Sequence, residues 1–98
     1  MEIKKTRDGD ELTVAVSGRL DTTTAPQLEE ALKPELGNVK KLTFDFEGLE
    51  YISSAGLRIL LQTAQSMEDM SDMVVTNTNS DIDDIFEVTG FSEILTIK

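Results

Sequence analysis

The sequence contains no cysteine and no histidine. Together these absences remove thiol nucleophiles, disulfides, zinc sites built on Cys or His, Ser-His-Asp triads and histidine phosphorelay. Carboxylate or lysine chemistry is what remains for catalysis, and the acidic residues fall on faces and turns without a paired spacing. No catalytic residue, metal site or cofactor is therefore expected. Long apolar runs are missing as well. The longest resemble Ile59 to Leu61, and Met1-Glu2-Ile3-Lys4-Lys5 lacks the apolar stretch of a signal peptide. Neither a membrane span nor an export signal is expected, which makes the cytoplasm the default location. Basic residues are scarce, with 9 Lys and Arg against 19 Asp and Glu, for a net charge of -10. Residues 1–49 hold seven of the basic and ten of the acidic side chains, residues 50–98 two and nine. Such a field repels nucleic acid and anionic lipid and steers basic protein surfaces inward, while also serving simple solubility.

What is present is one small α/β domain, expected to span residues 1–98, with 39% hydrophobic residues to build a single core. Residues 2–7 and 11–17 read as strands, with Leu12, Val14 and Val16 alternating against polar neighbours and Asp8-Gly9-Asp10 as a hairpin turn. Residues 24–36 place Ala25, Leu28, Leu32 and Leu36 on one helical face, Thr24 and Gln27 stand at capping-box spacing, and Gly37 suits the residue after the helix. Pro34 lies late in that span and favours an earlier end. Lys41 to Phe46 alternates as a half-buried strand, and Leu57, Leu60, Leu61, Ala64 and Met67 form the core face of a helix from about residue 55 to 68. Met73 to Thr76 is a short strand, Ser80 and Asp83 open a helix closed by Gly90, and Ile94 to Ile97 reads as a last strand. Helices between strands imply crossovers. The expectation is a mixed sheet of four to five strands, with an N-terminal antiparallel hairpin and three to four helices packed on it.

The stretch Tyr51-Ile52-Ser53-Ser54-Ala55-Gly56-Leu57 puts two hydroxyls where a strand-loop gives way to an amphipathic helix. First-turn N–H groups are unpaired and the helix dipole is positive there, so a serine oxygen, or a phosphate esterified to it, meets ready donors. Either serine can serve as an ordinary helix cap worth about 1 kcal/mol. Gly56 reads as a close-packing residue, since glycine in a helix costs up to about 1 kcal/mol relative to alanine.

Ser54-Ala55-Gly56-Leu57, preceded by Ser17-Gly18-Arg19-Leu20-Asp21 and followed by Phe86-Glu87-Val88-Thr89-Gly90-Phe91, resembles the bacterial anti-sigma factor antagonists, stand-alone STAS domains. The three signatures come in the right order and spacing over nearly the whole chain. The resemblance implies a non-enzymatic binding protein. Its unmodified form would bind a serine kinase that doubles as an anti-sigma factor, and its phosphorylated form would release it. A PP2C-type phosphatase is implied as the resetting partner.

By the same resemblance Ser54 is the modified residue, with Ser53 the second choice, and the docking face comprises Asp21, Thr22, Thr23, Ser53, Ser54, Ala55, Gly56 and Arg58. Many members carry aspartate where this chain has Ser53, and serine or threonine where it has Ala55. From local pattern alone, Asp21 reads as a turn residue, Thr24 as a helix cap and Gly18 as a backbone residue.

Two other readings are open. One is a STAS adaptor subunit of another complex, such as a lipid transporter or stress-signalling scaffold. The other is a hydrolase using Ser54 with Lys40, Lys41 or Asp21 as base, which needs a desolvated lysine beside the hydroxyl. Met67, Met70 and Met73 suit gap filling beneath the sheet or an adaptable contact surface.

Overall fold

The computed structural model describes residues 1–67 and 69–98, with Ser71 by its backbone alone. Strand β1 (Glu2–Asp8) pairs antiparallel with β2 (Glu11–Leu20) through the turn at Gly9, whose φ of +64° suits a residue without a side chain. The alternation read in β2 is observed. Leu12, Val14 and Val16 are buried, while Thr13 is exposed and Ala15 half-buried.

Strand β2 is ten residues long and carries two neighbours in succession. Glu11–Ala15 pairs in parallel with β3 (Lys41–Asp45), and Gly18–Leu20 pairs in parallel with β4 (Leu49–Ile52). The register shifts between Gly18 and Arg19, where Gly18 takes a φ of +89° and donates its N–H to the Gly48 carbonyl at 2.9 Å. A glycine is what lets the strand change partners there without steric cost. Strands β5 (Met73–Thr76) and β6 (Thr96–Ile97) extend the sheet in parallel beyond β3, giving the order β1-β2-β3-β5-β6 with β4 on β2. The mixed α/β architecture and N-terminal hairpin are those expected, and β4 brings the sheet to six strands.

Helix α1 spans Ala25–Leu32 and buries Ala25, Leu28 and Leu32. It stops four residues short of the expected end, and Leu36–Asn38 forms a separate 3-10 turn. Pro34 explains the break, because it has no N–H to continue the ladder and its ring crowds the preceding turn. Side chains of β1 fasten this region: Lys5 Nζ donates to the Ala31 carbonyl at 3.1 Å, and Arg7 meets Glu35 at 2.9 Å. The expected capping box at Thr24 and Gln27 is absent. Thr24 precedes α1, but its hydroxyl is occupied by the end of β2 and the residue after it, donating to the Arg19 carbonyl and accepting the Asp21 N–H, each at 2.8 Å.

Helix α2 (Ser54–Ser66) buries Gly56, Leu57, Ile59, Leu60, Thr63 and Ala64. The expected end at residue 68 lies outside the described residues. Helix α3 (Ser80–Thr89) is capped by Asn79, one residue earlier than Ser80. The Asn79 carboxamide oxygen accepts the Ile82 N–H at 2.8 Å, and its nitrogen donates to the Leu49 carbonyl of β4 at 2.9 Å. Gly90, at φ +82°, ends α3 as expected and starts the short helix α4 (Phe91–Ile94), which takes up the first residue of the strand expected over 94–97. One cluster joins the inward residues of β2, β3 and β5 to those of α1, α2 and α3, with Phe44, Phe46 and Phe86 fully buried in it. Each such large side chain contributes about 1.5–3 kcal/mol by leaving water. Met67 and Met73 fill gaps in this core, whereas Met70 is 37% exposed. No helix among the described residues is long and apolar enough to cross a membrane.

Candidate functional site

The ends of β2 and β4 lie side by side, with Arg19 opposite Tyr51 and Leu20 opposite Ile52. Leu20 and Ile52 point into the core, so Arg19 and Tyr51 fall on the outer side, where the guanidinium stacks over the phenol ring at 4.5 Å. The same guanidinium lies 3.9 Å from the Asp21 carboxylate.

Ser53 follows β4 with extended backbone and ties the loop to β2, its N–H donating to the Leu20 carbonyl at 2.9 Å. Its own carbonyl accepts the Leu57 N–H at 2.9 Å and so begins α2. The Ser53 side chain makes no capping bond. Its Oγ is buried, and among the described residues it is the one buried side-chain polar atom without a partner. Ser54, the first residue of α2, is exposed. The two adjacent hydroxyls thus differ sharply: one faces solvent and the other faces the interior.

Gly56 sits where the first turn of α2 crosses the strand ends. A β-carbon there would stand 2.7 Å from Leu20 Cγ and 2.8 Å from Ile52 Cγ1, closer than carbon atoms approach. The glycine therefore sets how tightly the serine turn is pressed onto the strands, confirming its expected packing role.

Asp21 leads from β2 to α1 and organises the threonines after it. Its Oδ1 accepts the Thr23 hydroxyl at 2.7 Å and the N–H groups of Thr23 and Thr24 at 3.0 and 3.2 Å. The Thr23 hydroxyl, with those N–H groups, holds the carboxyl below its usual value of 3.8. The turn role read for Asp21 is present, and it leaves Thr22 and Thr23 exposed. A shallow groove between α1 and α2 is lined by Thr22, Ala25, Pro26, Ala55 and Arg58 among others. Ser54 and Arg58 are exposed, and Ala55 is half-buried.

The lysines considered as bases are elsewhere. Lys41 pairs with Glu11 at the start of β3, the opposite end of β2 from the serine turn, nine residues away along the strand or about 30 Å. A Ser-Lys dyad does not form. Arg19 and Tyr51 complete the surround of the serine turn. They escape a sequence reading because their pairing depends on β4.

The model of the STAS domain family matches residues 2–98. The chain belongs to the STAS domain family, among the anti-sigma factor antagonists. This STAS domain is 34% identical to an anti-sigma-B factor antagonist of Listeria monocytogenes, covering 100% of the chain and 87% of the relative. It is 28% identical to the putative anti-sigma factor antagonist BtrV of Bordetella bronchiseptica, covering 88% of the chain and 76% of that protein. Among solved structures, an anti-sigma factor antagonist from Mycobacterium paratuberculosis superposes with a TM-score of 0.88 at 24% identity, covering 98% of the chain and 83% of that structure. The antagonist SpoIIAA in its unphosphorylated form superposes at 0.76 with 16% identity, covering 99% and 87%. These two superpositions bear on the STAS fold, and the sequence relatives place the chain in the family.

Proposed function

We propose that this STAS domain is a partner-switching anti-sigma factor antagonist that binds a serine-kinase anti-sigma factor and is released by phosphorylation of Ser54. The observation that carries this reading is the contrast within the serine pair. Ser54 presents its side chain to solvent at the first residue of α2, whereas the Ser53 Oγ is buried. The kinase transfers the γ-phosphoryl of ATP to the Ser54 oxygen, ADP leaves, and a PP2C-type phosphatase restores the hydroxyl. Around the acceptor lie Asp21, Thr22, Thr23, Ala55 and Arg58, which form the docking face, while Gly56 and the Ser53 hydroxyl, both expected in it, lie buried beneath it.

The switch needs no refolding. Phosphate adds about -1.5 to -2 charges at the centre of that face. The N-terminus of α2 receives the charge favourably, by roughly 0.3–2 kcal/mol. Across the interface, like charge or a desolvated apolar patch costs several kcal/mol, enough for a loss of affinity of about a hundredfold or more.

The test is co-purification of the chain with its kinase from the source cell, then intact-mass measurement with and without ATP. One phosphate per chain is expected, and Ser54→Ala is expected to bind the kinase, gain no mass and stay bound. A Ser54→Ala chain that still takes up a full phosphate would overturn the assignment to Ser54. A transporter subunit or scaffold in place of a kinase would favour an adaptor role and overturn the partner.

A further inference from the structure

Arg58 is a cation without an ion-pair partner among the described residues, in a chain of net charge -10. Its neighbours are otherwise engaged. Arg19 is held by the Tyr51 ring and Asp21, and across the α1–α2 groove Glu29 and Glu30 turn to Lys33 at 4.0 and 3.4 Å. In residues 50–98 the one other basic side chain is Lys98. On an exposed helix face in so acidic a half, this guanidinium is available to a counter-charge, and its position is set by α2. Arg58 lies one turn after Ser54 on α2, and side chains four apart on a helix have β-carbons about 5–6 Å from each other. The order is the favourable one, with the anion nearer the helix N-terminus and the cation following it.

We propose that Arg58 receives the phosphate of phosphorylated Ser54, closing an intramolecular pair on the surface of α2. The inference rests on the reading of Ser54 as the modified residue. It changes how the switch works. In the unmodified chain Arg58 offers a free guanidinium to an acidic group of the partner. After phosphorylation that guanidinium is bound to the chain's own phosphate by charge-assisted hydrogen bonds, so the docking face loses a cation as it gains an anion. Release then follows from both changes, beyond the bulk of the phosphate.

The test installs phosphoserine at position 54 of the full chain during translation, which makes it independent of any kinase, and follows the phosphate by phosphorus NMR titration at low salt. Arg58 favours the dianion. The second ionisation, ordinarily near pH 6, is expected about 0.2–0.4 of a pH unit lower in the parent than in Arg58→Gln. Arg58→Lys should keep part of the difference, and 1 M salt should erase most of it. Asp21, Glu29 and Glu30 are unchanged in every variant, so their influence cancels in the comparison. Equal ionisation in the parent and Arg58→Gln would overturn the proposal, as would an Arg58 Nε–H resonance that does not move on phosphorylation. The two readings fail separately. A kinase that ignores Ser54 sinks the functional assignment and leaves the Arg58 titration as measured, whereas a kinase that uses Ser54 in a chain with no Arg58 effect sinks this inference alone.

Discussion

Leu20 Cγ lies 2.7 Å from where a β-carbon on Gly56 would stand, and Leu20 is fully buried. An alanine at residue 56 would normally strengthen a helix by up to about 1 kcal/mol. Here the neighbouring atoms belong to the fully buried side chains of Leu20 and Ile52, so overpacking of about 1–3 kcal/mol outweighs that gain. Gly56→Ala is expected to lower stability in denaturant titration. A midpoint at or above that of the parent would contradict the packing.

Ser53→Ala should behave unlike the loss of an ordinary helix cap. Capping serines typically cost about 1 kcal/mol when removed, but the Ser53 hydroxyl makes no capping bond and is buried without a partner. Thermal unfolding of Ser53→Ala is expected to match or exceed the parent. A drop of the usual capping size would mean that this hydroxyl does cap α2.

Asp21 predicts a dependence on acid. Its folded pKa lies below the usual 3.8, so its contribution is fully present above that value and is lost as the pH falls through the lower folded value. As the pH falls below 3.8 the parent should therefore lose melting temperature more steeply than Asp21→Asn. Parallel curves would show that the threonine bonds do not favour the ionised form.

Arg19 and Tyr51 form a cross-strand pair on an open surface, with Tyr51 37% exposed. A double-mutant cycle with Arg19→Ala and Tyr51→Ala should give a coupling of about 0.5–1 kcal/mol. Coupling near zero would remove the stack as a support of the serine turn.

Ser54→Asp separates fold from docking. The first helical position accepts a negative charge, so thermal stability should hold or rise slightly while affinity for the kinase falls. Binding equal to the parent would defeat the electrostatic account even with the phosphorylated residue correctly assigned.

Much of this was legible in the sequence wherever burial follows a simple period. Leu12, Val14 and Val16 announce β2, and Leu57, Leu60 and Ala64 announce α2. The final residues of β2 are not legible, because Gly18 looks like a break and is instead a bulge that keeps the strand going. Strand β4 escapes notice because its buried residues, Leu49 and Ile52, stand three apart and show no alternation. The early end of α1 is implicit in Pro34, and Asn79 carries a capping residue's chemistry one place before the serine chosen for it. At the site, the sequence locates both serines and the glycine behind them. It holds nothing on which hydroxyl faces inward, since that follows from the register of β4 against β2.

A single carboxamide, that of Asn79, starts α3 and grips the Leu49 carbonyl of β4. The last fifth of the chain thereby anchors the strand that delivers both serines. A protein cut short before Asn79 would lose that grip on β4 together with Ile82 and Phe86 from the core beneath it.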